Sequence, residues 1–375
     1  MKTNNNISVL IPDGESHLLI YVVNCLAQIK GLKIFVMSNK NSNPMRLSRY
    51  IYNFSFFEKT NEIDWIYNIN KELIRYDIDV VMPIFEDGIR TIIKHENLVN
   101  NKSKLGLLPS FSVFNIAINK GCLAEHLKTN NLPHPKGVVI LPGATTSEKE
   151  IKLPALIKPM EGFGGGMGIK VFNSKKQIDH FFDENKFNYP YLVQDYIEGY
   201  DIDCSVLCKN GEVLAYTIQK GNLLGKNEFS PQVGLEFLHN EELYKVVEKL
   251  MKSLNWSGIA HIDMRYDKHD EKFKVIEINT RYWVSLDASL ISGVNFPHLY
   301  CLASLNQNFI KPDYKNIEYL NLKGLIKKIK IKKTTLFNFK FIIANTPLKF
   351  AIKDPLPMIY KFIWRTKNVI LAKFS

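Results

Sequence analysis

The densest chemical signal in this 375-residue sequence is a glycine cluster that follows a lysine. Residues 156–168 read LIKPMEGFGGGMG, so Lys158 lies in an apolar run and five glycines fall within the last seven residues. Glycine lets backbone N–H groups converge on an anion, and a nearby lysine adds a point charge for phosphate. The pattern predicts a phosphate-binding loop between two strands, not of the Walker type because the lysine precedes the glycines. An ordinary hairpin loop is the alternative, although two glycines would suffice for a turn.

Acidic residues lie in two runs that otherwise have the composition of strands, IAHIDMR (259–265) and VIEINTR (275–281). Side chains alternate along a strand, so Glu277, Asn279 and Arg281 share one face. The short turn between the runs sets Asp263 opposite Glu277, within one residue. Carboxylate and carboxamide oxygens suit Mg²⁺ that bridges phosphates, and the arginine can clamp a phosphoryl group or a carboxylate. The alternative is a solvated face with ordinary salt bridges.

A weaker signal is the segment QDYIEGYD at residues 194–201, where an apolar strand runs into a turn that contains glycine and acids. Backbone groups at such a crossover could hydrogen-bond the edge of a base, and an acid could bind ribose hydroxyls. Taken alone, the segment is more typical of a surface turn.

The first 110 residues alternate between strand-like and helix-like patterns. Three apolar runs are typical of strands: Ile7–Ile11, Lys33–Met37 and Asp79–Pro83. The runs between them, His17–Ile29 and Trp65–Tyr76, have helical periodicity. This alternation predicts a parallel, doubly wound layer. Its first turn lacks the GxGxxG pattern, which argues against a dinucleotide site there.

The pattern changes after about residue 112, where hairpin turns join successive strands and indicate an antiparallel sheet with helices. The predicted helices are Asn119–Leu127, Lys175–Asp183 and Glu241–Leu254. The predicted strands are Ala155–Pro159, Ile169–Phe172, Tyr191–Tyr196, Asp201–Cys208, Val213–Gln219, Gly258–Tyr266 and Phe273–Asn279. No internal repeat is present.

Composition is that of a folded globular protein, with 46% apolar and 23% charged residues. These values exclude a wholly disordered or fibrous chain. The five cysteines are scattered and form no CxxC pair, so we expect neither a disulfide framework nor structural zinc, and a reducing cytoplasm fits best. The first residues, MKTNNNISVLIPDG, carry too short an apolar run for a signal peptide. No apolar run approaches the ~18 residues that a membrane span requires.

The net charge of +12 is concentrated at one end of the sequence. From Asn321 to Ser375 there are 13 Lys and Arg residues and a single acid, Asp354, and over the other 320 residues positive and negative charges cancel. These lysines alternate with aromatic and aliphatic residues. Such a stretch can be a helical cap with a solvated lysine face, an element that lies on an anionic membrane surface, or a nucleic-acid contact. The cap is the most economical of the three interpretations, and nucleic acid is the least favoured.

The order of these features resembles the ATP-grasp superfamily, and within it the carbamoyl-phosphate-synthase-like proteins, whose motif ends are similar to EINTRYWVSLDASLISGVNFP here. The resemblance spans roughly residues 120–281. It implies a mixed α/β and α+β fold with an N-terminal doubly wound domain, a mobile lid subdomain and an antiparallel-sheet catalytic subdomain. We expect the domain boundaries to be 1–111, 112–305 (with the lid at about 120–193) and 306–375, the last a basic amphipathic extension.

The resemblance also implies a role for each motif residue. The ATP phosphates would be contacted by Lys120, Lys158, Glu161, Gly162, Gly164, Gly165, Gly166 and Gly168. Adenine would meet Gln194 and Ile197, and ribose would meet Asp201. The metal ligands would be Asp263, Glu277 and Asn279. Arg281, Lys158 and Lys220 would be catalytic, Arg281 by stabilising the transferring phosphoryl group. One departure is Gln194, where the family usually has Glu; its carbonyl can still accept a hydrogen bond from the adenine amino group.

The activity that the resemblance implies is ATP-dependent ligation of a carboxylate to an amine through an acyl phosphate, with release of ADP and phosphate. The implied cofactors are ATP and Mg²⁺, or Mn²⁺ in its place. The implied partners are small-molecule carboxylate and amine substrates. The composition of the tail, and not the resemblance, adds an anionic membrane surface, and a second copy of the chain is a further candidate partner. The cysteines and the tail together place the protein in the cytoplasm or at the inner face of the membrane. The alternatives are an ATP-grasp phosphotransferase or carboxylase, and a non-catalytic ATP-binding protein associated with membrane or nucleic acid.

Overall fold

A computed structural model describes residues 6–58, 60–143, 151–160, 168–184, 187–225 and 230–363. The described chain forms three sheets, one parallel and two antiparallel, with helices packed on them. This architecture confirms the predicted mixed α/β and α+β class.

The N-terminal sheet is parallel because helices connect its strands and cover their apolar side chains. Its strands are β1 (Ser8–Ile11), β2 (Lys33–Ser38), β3 (Ile51–Phe56) and β4 (Val80–Val81), in the order β3-β2-β1-β4. Its helices are α1 (Leu19–Leu26), α2 (Glu62–Tyr76) and α3 (Glu86–Lys94). Helix α2 begins three residues earlier than its apolar pattern suggests, because the Asn61 side chain accepts a hydrogen bond from the Asp64 N–H at 2.9 Å.

Two short helices lead from this sheet to the second one. They are α4 (Phe111–Ile118) and α5 (Lys120–Thr129), and Asn119 separates them. The Asn119 side chain accepts hydrogen bonds from the N–H groups of Gly121 and Cys122, both at 3.0 Å. This cap makes Lys120 the first residue of α5.

The second sheet has four antiparallel strands in the order β5-β8-β6-β7. Its elements are β5 (Gly137–Ile140), β6 (Ala155–Pro159), β7 (Lys170–Phe172), α6 (Lys175–Glu184) and β8 (Tyr191–Asp195). Strands β6 and β7 pair as the predicted hairpin. Most of the glycine loop that joins them, residues 161–167, lies outside the described residues.

The third sheet has six strands in the order β13-β12-β9-β10-β11-β14 and is antiparallel throughout. Its elements are β9 (Gly199–Lys209), β10 (Glu212–Leu223), β11 (Gly234–Phe237), α7 (Glu241–Ser253), β12 (Gly258–Asp267), β13 (Lys272–Asn279) and β14 (Glu318–Leu320). Helix α7 covers one face, where Val247 and Trp256 are fully buried beside Ile262. The polar side chains of the candidate site lie on the other face.

The remaining helices follow the third sheet in the chain: α8 (Leu286–Ser292), α9 (Phe296–Ser304), α10 (Leu322–Ile331), α11 (Phe339–Ala344) and α12 (Leu348–Lys353). Helices α8 and α9 pack against α1, where Asn295 Nδ2 donates a hydrogen bond to the Cys25 carbonyl at 2.9 Å. The N-terminal sheet and the third sheet thus share one apolar core. Over the described residues, no helix is both long and apolar enough to cross a membrane.

Candidate functional site

The face of the third sheet opposite α7 carries a row of four polar side chains, one from each of four adjacent strands. Asp263 on β12 pairs with Glu277 on β13, the register that the short turn predicts. On its other side Asp263 pairs with Asp203 on β9, and Asp203 pairs with Gln219 on β10. Paired residues of antiparallel strands point to the same face, so three carboxyl groups and one carboxamide line up across the sheet.

A hydrogen-bonded chain continues from this row towards the end of β13. Asn279 Nδ2 donates to Asp263 Oδ1 at 3.2 Å, and Arg281 Nη2 donates to Asn279 Oδ1 at 3.0 Å. Arg281 Nη1 also donates to the Tyr282 carbonyl at 3.0 Å. The carboxamide of Asn279 thereby fixes the arginine relative to the carboxylates.

Two lysines reach this face from elements outside the third sheet. Lys120 Nζ, at the start of α5, lies 3.8 Å from Glu277 Oε2. Lys158, on β6 of the second sheet, is 4% exposed. Burial lowers the pKa of Lys158 to about 8 despite the opposing charges of Glu277 and Asp263. Burial alone would raise the pKa of Glu277, but the two lysines and Arg281 outweigh it and hold that pKa below its usual range.

The other two carboxyl groups of the row, those of Asp203 and Asp263, have fewer positive charges near them than Glu277 has. Burial, reinforced by the Asp201 carboxylate, raises the pKa of Asp203 to about 8. Burial and the adjacent carboxylates of Asp203 and Glu277 raise the pKa of Asp263 well above its usual range. Crowded carboxylates of this kind favour a bound proton or a bound cation.

His261 stands beside the row and completes a group that could hold a metal ion. Its Nε2 lies 3.4 Å from Asp263 Oδ1 and 3.9 Å from Asp203 Oδ2, and ligand atoms of these three residues all lie within 4.8 Å of one another. The ring is held by a 2.9 Å hydrogen bond between Nδ1 and Ser205 Oγ and by stacking on Trp283. Burial, with a smaller contribution from the Arg281 charge, lowers the pKa of His261 to about 3, so the ring is neutral and able to ligate.

The segment predicted to hold adenine lies at the junction of the second and third sheets. Gln194 on β8 is buried, and it packs against Gly137, where an added Cβ would lie 2.8 Å from Gln194 Cγ. Arg265 fastens the following turn, donating from Nε to the Ile197 carbonyl at 2.8 Å. Arg265 also pairs with the carboxylate of Asp201, the residue expected to bind ribose.

The part of the chain that carries the polar row is similar to a known protein family. Residues 187–324, which include the polar row, Arg281 and the junction turn, match the family described as "ATP-grasp in the biosynthetic pathway with Ter operon". Residues 187–324 are therefore similar in sequence to ATP-grasp proteins.

Curated proteins of partial similarity to this chain are ligases and synthases. A D-aspartate ligase from Enterococcus faecium (strain Aus0004) is 24% identical over 208 residues, which are 49% of this chain and 49% of that protein. A carbamoyl-phosphate synthase from Methanobrevibacter smithii is 29% identical over 158 residues, 40% of this chain and 42% of that protein. The chain thus spans about half the length of the curated relatives it matches.

Solved structures share the fold of this chain over most of its length. An L-amino acid ligase from Bacillus licheniformis superposes with a TM-score of 0.62 at 19% identity, covering 83% of this chain and 79% of that one. An N5-carboxyaminoimidazole synthetase from Staphylococcus aureus, complexed with ADP, gives a TM-score of 0.67 at 15% identity, with coverage of 90% and 86%.

Lys220, which is expected to be catalytic, does not lie in the polar row. A β-bulge between Val213 and Ala215 shifts the register of β10, so that Lys220 pairs with Ile202 and points to the α7 face. Its ammonium lies 3.8 Å from the centre of the Tyr200 ring. Gln219 takes the place in the row instead.

The glycine loop lies mostly beyond what the structure describes. Five predicted phosphate contacts belong to that part: Glu161, Gly162, Gly164, Gly165 and Gly166. Gly168 is described, and its φ of +76° is a conformation that favours glycine over other residues.

The N-terminal sheet contributes residues that the sequence did not single out. Glu86, the first residue of α3, has its Oε1 3.7 Å from Arg281 Nε, and the guanidinium carbon lies 5.7 Å from the centre of the Phe85 ring. Asp13 fixes the start of α3 by accepting hydrogen bonds from the N–H groups of Ile84 and Phe85 at 2.9 and 2.7 Å. Arg281 is therefore held both from α3, which packs beside the N-terminal sheet, and from the third sheet. No local sequence pattern predicts this contact, because Glu86 and Arg281 lie far apart in the sequence.

Proposed function

We propose that this protein is an ATP-dependent ligase that joins a carboxylate to an amine through an acyl phosphate and releases ADP and phosphate. The observation that carries the proposal is the convergence of Lys120 and Lys158, from two separate elements, on Glu277 of a third. Close-set charges with perturbed pKa values of this kind cluster at functional sites, and two lysines beside a carboxylate row suit a polyanion bound together with its counter-ion. In ATP-grasp proteins the polyanion is the nucleoside triphosphate ATP.

The nucleotide would lie between the second and third sheets. Lys120, Lys158 and the glycine loop would contact its phosphates, and Gln194 and Ile197 would meet adenine. Asp201 would bind ribose while keeping its contact with Arg265, because a carboxylate has acceptor capacity for both. The lysines act here as fixed positive charges that neutralise the triphosphate and orient its terminal phosphoryl group.

Magnesium, with Mn²⁺ as a substitute, would be held by Asp263, Glu277 and Asn279. The donor set fits: these are hard oxygen ligands, and Asp263 lies buried between the carboxylates of Asp203 and Glu277, a crowding of negative charge that a cation would relieve. Asp203 and His261 adjoin this set. When bound, the metal would offset the negative charge of the phosphates.

Arg281 would stabilise the transferring phosphoryl group, and the structure offers the means to orient it. Asn279 holds one side of the guanidinium, and Glu86 of the N-terminal domain holds the other. Positioning of this kind favours the transition state because the charge needs no reorganisation during reaction. An acyl phosphate is readily hydrolysed, so the glycine loop would serve to exclude water.

The substrates that we propose are small, with an amino acid as carboxylate or amine donor. The names of three similar proteins support this class: the D-aspartate ligase, a D-alanine–D-alanine ligase from Anaplasma marginale and the L-amino acid ligase. We propose the cytoplasm, at the inner face of the membrane, as the location. The five cysteines, none in a disulfide, are consistent with that compartment.

The decisive experiment traps the acyl phosphate. The protein is incubated with MgATP, a panel of amino acids and hydroxylamine, and both hydroxamate and phosphate are measured. Hydroxamate in equal amount to phosphate supports the ligase. A stable phosphoester would identify a phosphotransferase instead, and phosphate release that depends on bicarbonate alone would identify a carboxylase, the reaction that the likeness to N5-carboxyaminoimidazole synthetase would favour.

A further inference from the structure

Exposed apolar side chains concentrate in one part of the molecule, residues 322–363, which we name the C-terminal segment. It holds thirteen of the twenty-nine large apolar side chains that are exposed in the described residues. The same 42 residues contain ten lysines and one acid, Asp354. Isolated exposed apolar residues are ordinary, but this density together with one sign of charge is not.

The inner side of this segment is already packed against the third sheet. Leu325 and Ile342 are buried in a small cluster with Leu320 of β14. Lys327 Nζ donates a hydrogen bond to the Leu224 carbonyl at 3.0 Å, in the loop that follows β10. The segment is therefore part of the fold. Its buried side chains supply the contact with the core, and its outward side chains do not take part in that contact.

The most exposed stretch runs from residue 330 to residue 340. Within it only Thr335 is buried. Its cations are Lys330, Lys332, Lys333 and Lys340, and its large apolar side chains are Ile331, Leu336, Phe337 and Phe339, exposed by 71, 50, 74 and 68%. Lysine and large apolar side chains thus emerge together from a surface that contains no acid.

We propose that the C-terminal segment docks on the surface of an anionic lipid bilayer, with residues 330–340 at the contact. Apolar side chains that enter the boundary between headgroups and acyl chains, flanked by lysines that meet anionic headgroups, are the pattern of interfacial elements. A second copy of the chain is disfavoured, because the same face would bring lysines against lysines. Nucleic acid would leave aliphatic residues such as Ile331 and Leu336 without a partner, since only aromatic and guanidinium groups stack on bases.

The test uses the full-length protein and vesicles of phosphatidylcholine with or without phosphatidylglycerol, separated by flotation in the absence of ATP and Mg²⁺. We expect the protein to float with the anionic vesicles only. The fraction that floats should be smaller at about 0.5 M than at about 0.1 M salt, because salt screens the attraction between lysines and anionic headgroups. The proposal is independent of the ligase proposal, since phosphate release from ATP is measured separately, without lipid.

Two pairs of substitutions locate the contact, Phe337→Ser with Phe339→Ser, and Lys332→Ser with Lys333→Ser. Each pair should lower the fraction bound at least about fivefold. Matched controls remove similarly exposed groups elsewhere: Ile74→Ser with Ile310→Ser, and Lys30→Ser with Lys40→Ser. These controls should bind as the wild type does.

Phe337→Trp gives a second measurement that keeps an apolar ring at the contact. Its fluorescence should shift to the blue on addition of anionic vesicles, and that of Ile74→Trp should not. Absence of binding by the wild type, equal binding to neutral vesicles, equal loss in the controls, or displacement by RNA at the same salt would each overturn the proposal. So would a concentration-dependent dimer that Phe337→Ser with Phe339→Ser abolishes.

Discussion

Lys120 Nζ lies 3.8 Å from Glu277 Oε2, although one residue opens a helix that precedes the second sheet and the other lies on the last hairpin of the third. The contact depends on the Asn119 cap, which sets where α5 begins, and on the register that places Glu277 beside Asp263. Helix start and strand register together assemble the centre of the candidate site.

Glu277→Gln should abolish most of the Mg²⁺-dependent ATP consumption. The substitution keeps the shape of the side chain and removes the charge that the two lysines and the metal share. We expect kcat/KM for MgATP to fall about 10²–10³-fold, as measured by phosphate release. Glu125→Gln, an exposed position on α5, is the control and should be neutral. Unchanged ATP consumption in Glu277→Gln would eliminate the metal assignment.

Nucleotide affinity should fall as the pH rises through about 8. Burial lowers the pKa of Lys158 to about 8, so its positive charge is present below that pH and is lost above it. The dissociation constant of ATP, measured by calorimetry between about pH 7 and pH 9, should therefore increase by up to about tenfold. In Lys158→Arg the charge persists, and the pH dependence should be absent. Equal pH profiles for the two proteins would show that Lys158 does not contact the phosphates.

Lys220→Ala should retain ATP consumption within about threefold of the wild type, because its only described contact near the ammonium is the Tyr200 ring, worth about 0.5–1 kcal/mol. Lys120→Ala, measured beside it, should lose far more, since its ammonium faces Glu277. A large loss of kcat in Lys220→Ala, with an unchanged melting temperature, would restore Lys220 to the catalytic set.

Glu86→Gln should lower kcat more than it weakens ATP binding, because Glu86 orients Arg281 from the N-terminal domain without facing the adenine junction. We expect a decrease in kcat of about 10-fold, measured with saturating MgATP. Glu96→Gln, on the surface of the same domain, should have no effect. A change confined to the KM for ATP would contradict a role in orienting Arg281.

Gly324→Ala should destabilise the junction between α10 and the third sheet. A Cβ at this position would lie 2.0 Å from the Val233 carbonyl oxygen, a backbone atom that cannot move independently. We expect a loss of about 1–3 kcal/mol in the free energy of unfolding, followed by thermal denaturation. Lys323→Ala, exposed and adjacent, is the control. Equal melting temperatures for the two variants would show that the junction relaxes without cost.

The strands and their pairing could be predicted wherever local rules determine them. The turn between β12 and β13 is short, so alternation fixes the partner of Asp263 to within one residue, and a register shift between Asp263 and Met264 makes that partner Glu277. The edge strand β3 was missed because its IYNFSF pattern is only partly buried and mixes polar with apolar positions. The beginning of α2 was predicted too late, because the capping role of Asn61 precedes the apolar pattern.

The composition of the site could be predicted only in part. Alternation from the turn between β9 and β10 would set Lys220 beside Asp201, on the face of the carboxylates, but the bulge after Val213 moves every later side chain of β10 to the opposite face. A bulge of this kind depends on packing and has no clear local signature. His261 and Asp203 could have been found, since each lies two residues along a strand from a residue already singled out, Asp263 and Asp201 respectively. Glu86 could not, because its contact with Arg281 is tertiary.

Strand β14 is the outermost strand of the third sheet and shields the hydrogen-bonding groups of β11 through its pairing with Gly234, Leu235 and Glu236. A truncated protein that ended before residue 318 would expose those groups along an open edge, which other chains could join. Such a protein would be prone to aggregate for reasons unrelated to lipid or to catalysis. Any shortened form should therefore keep β14 and the helix that follows it.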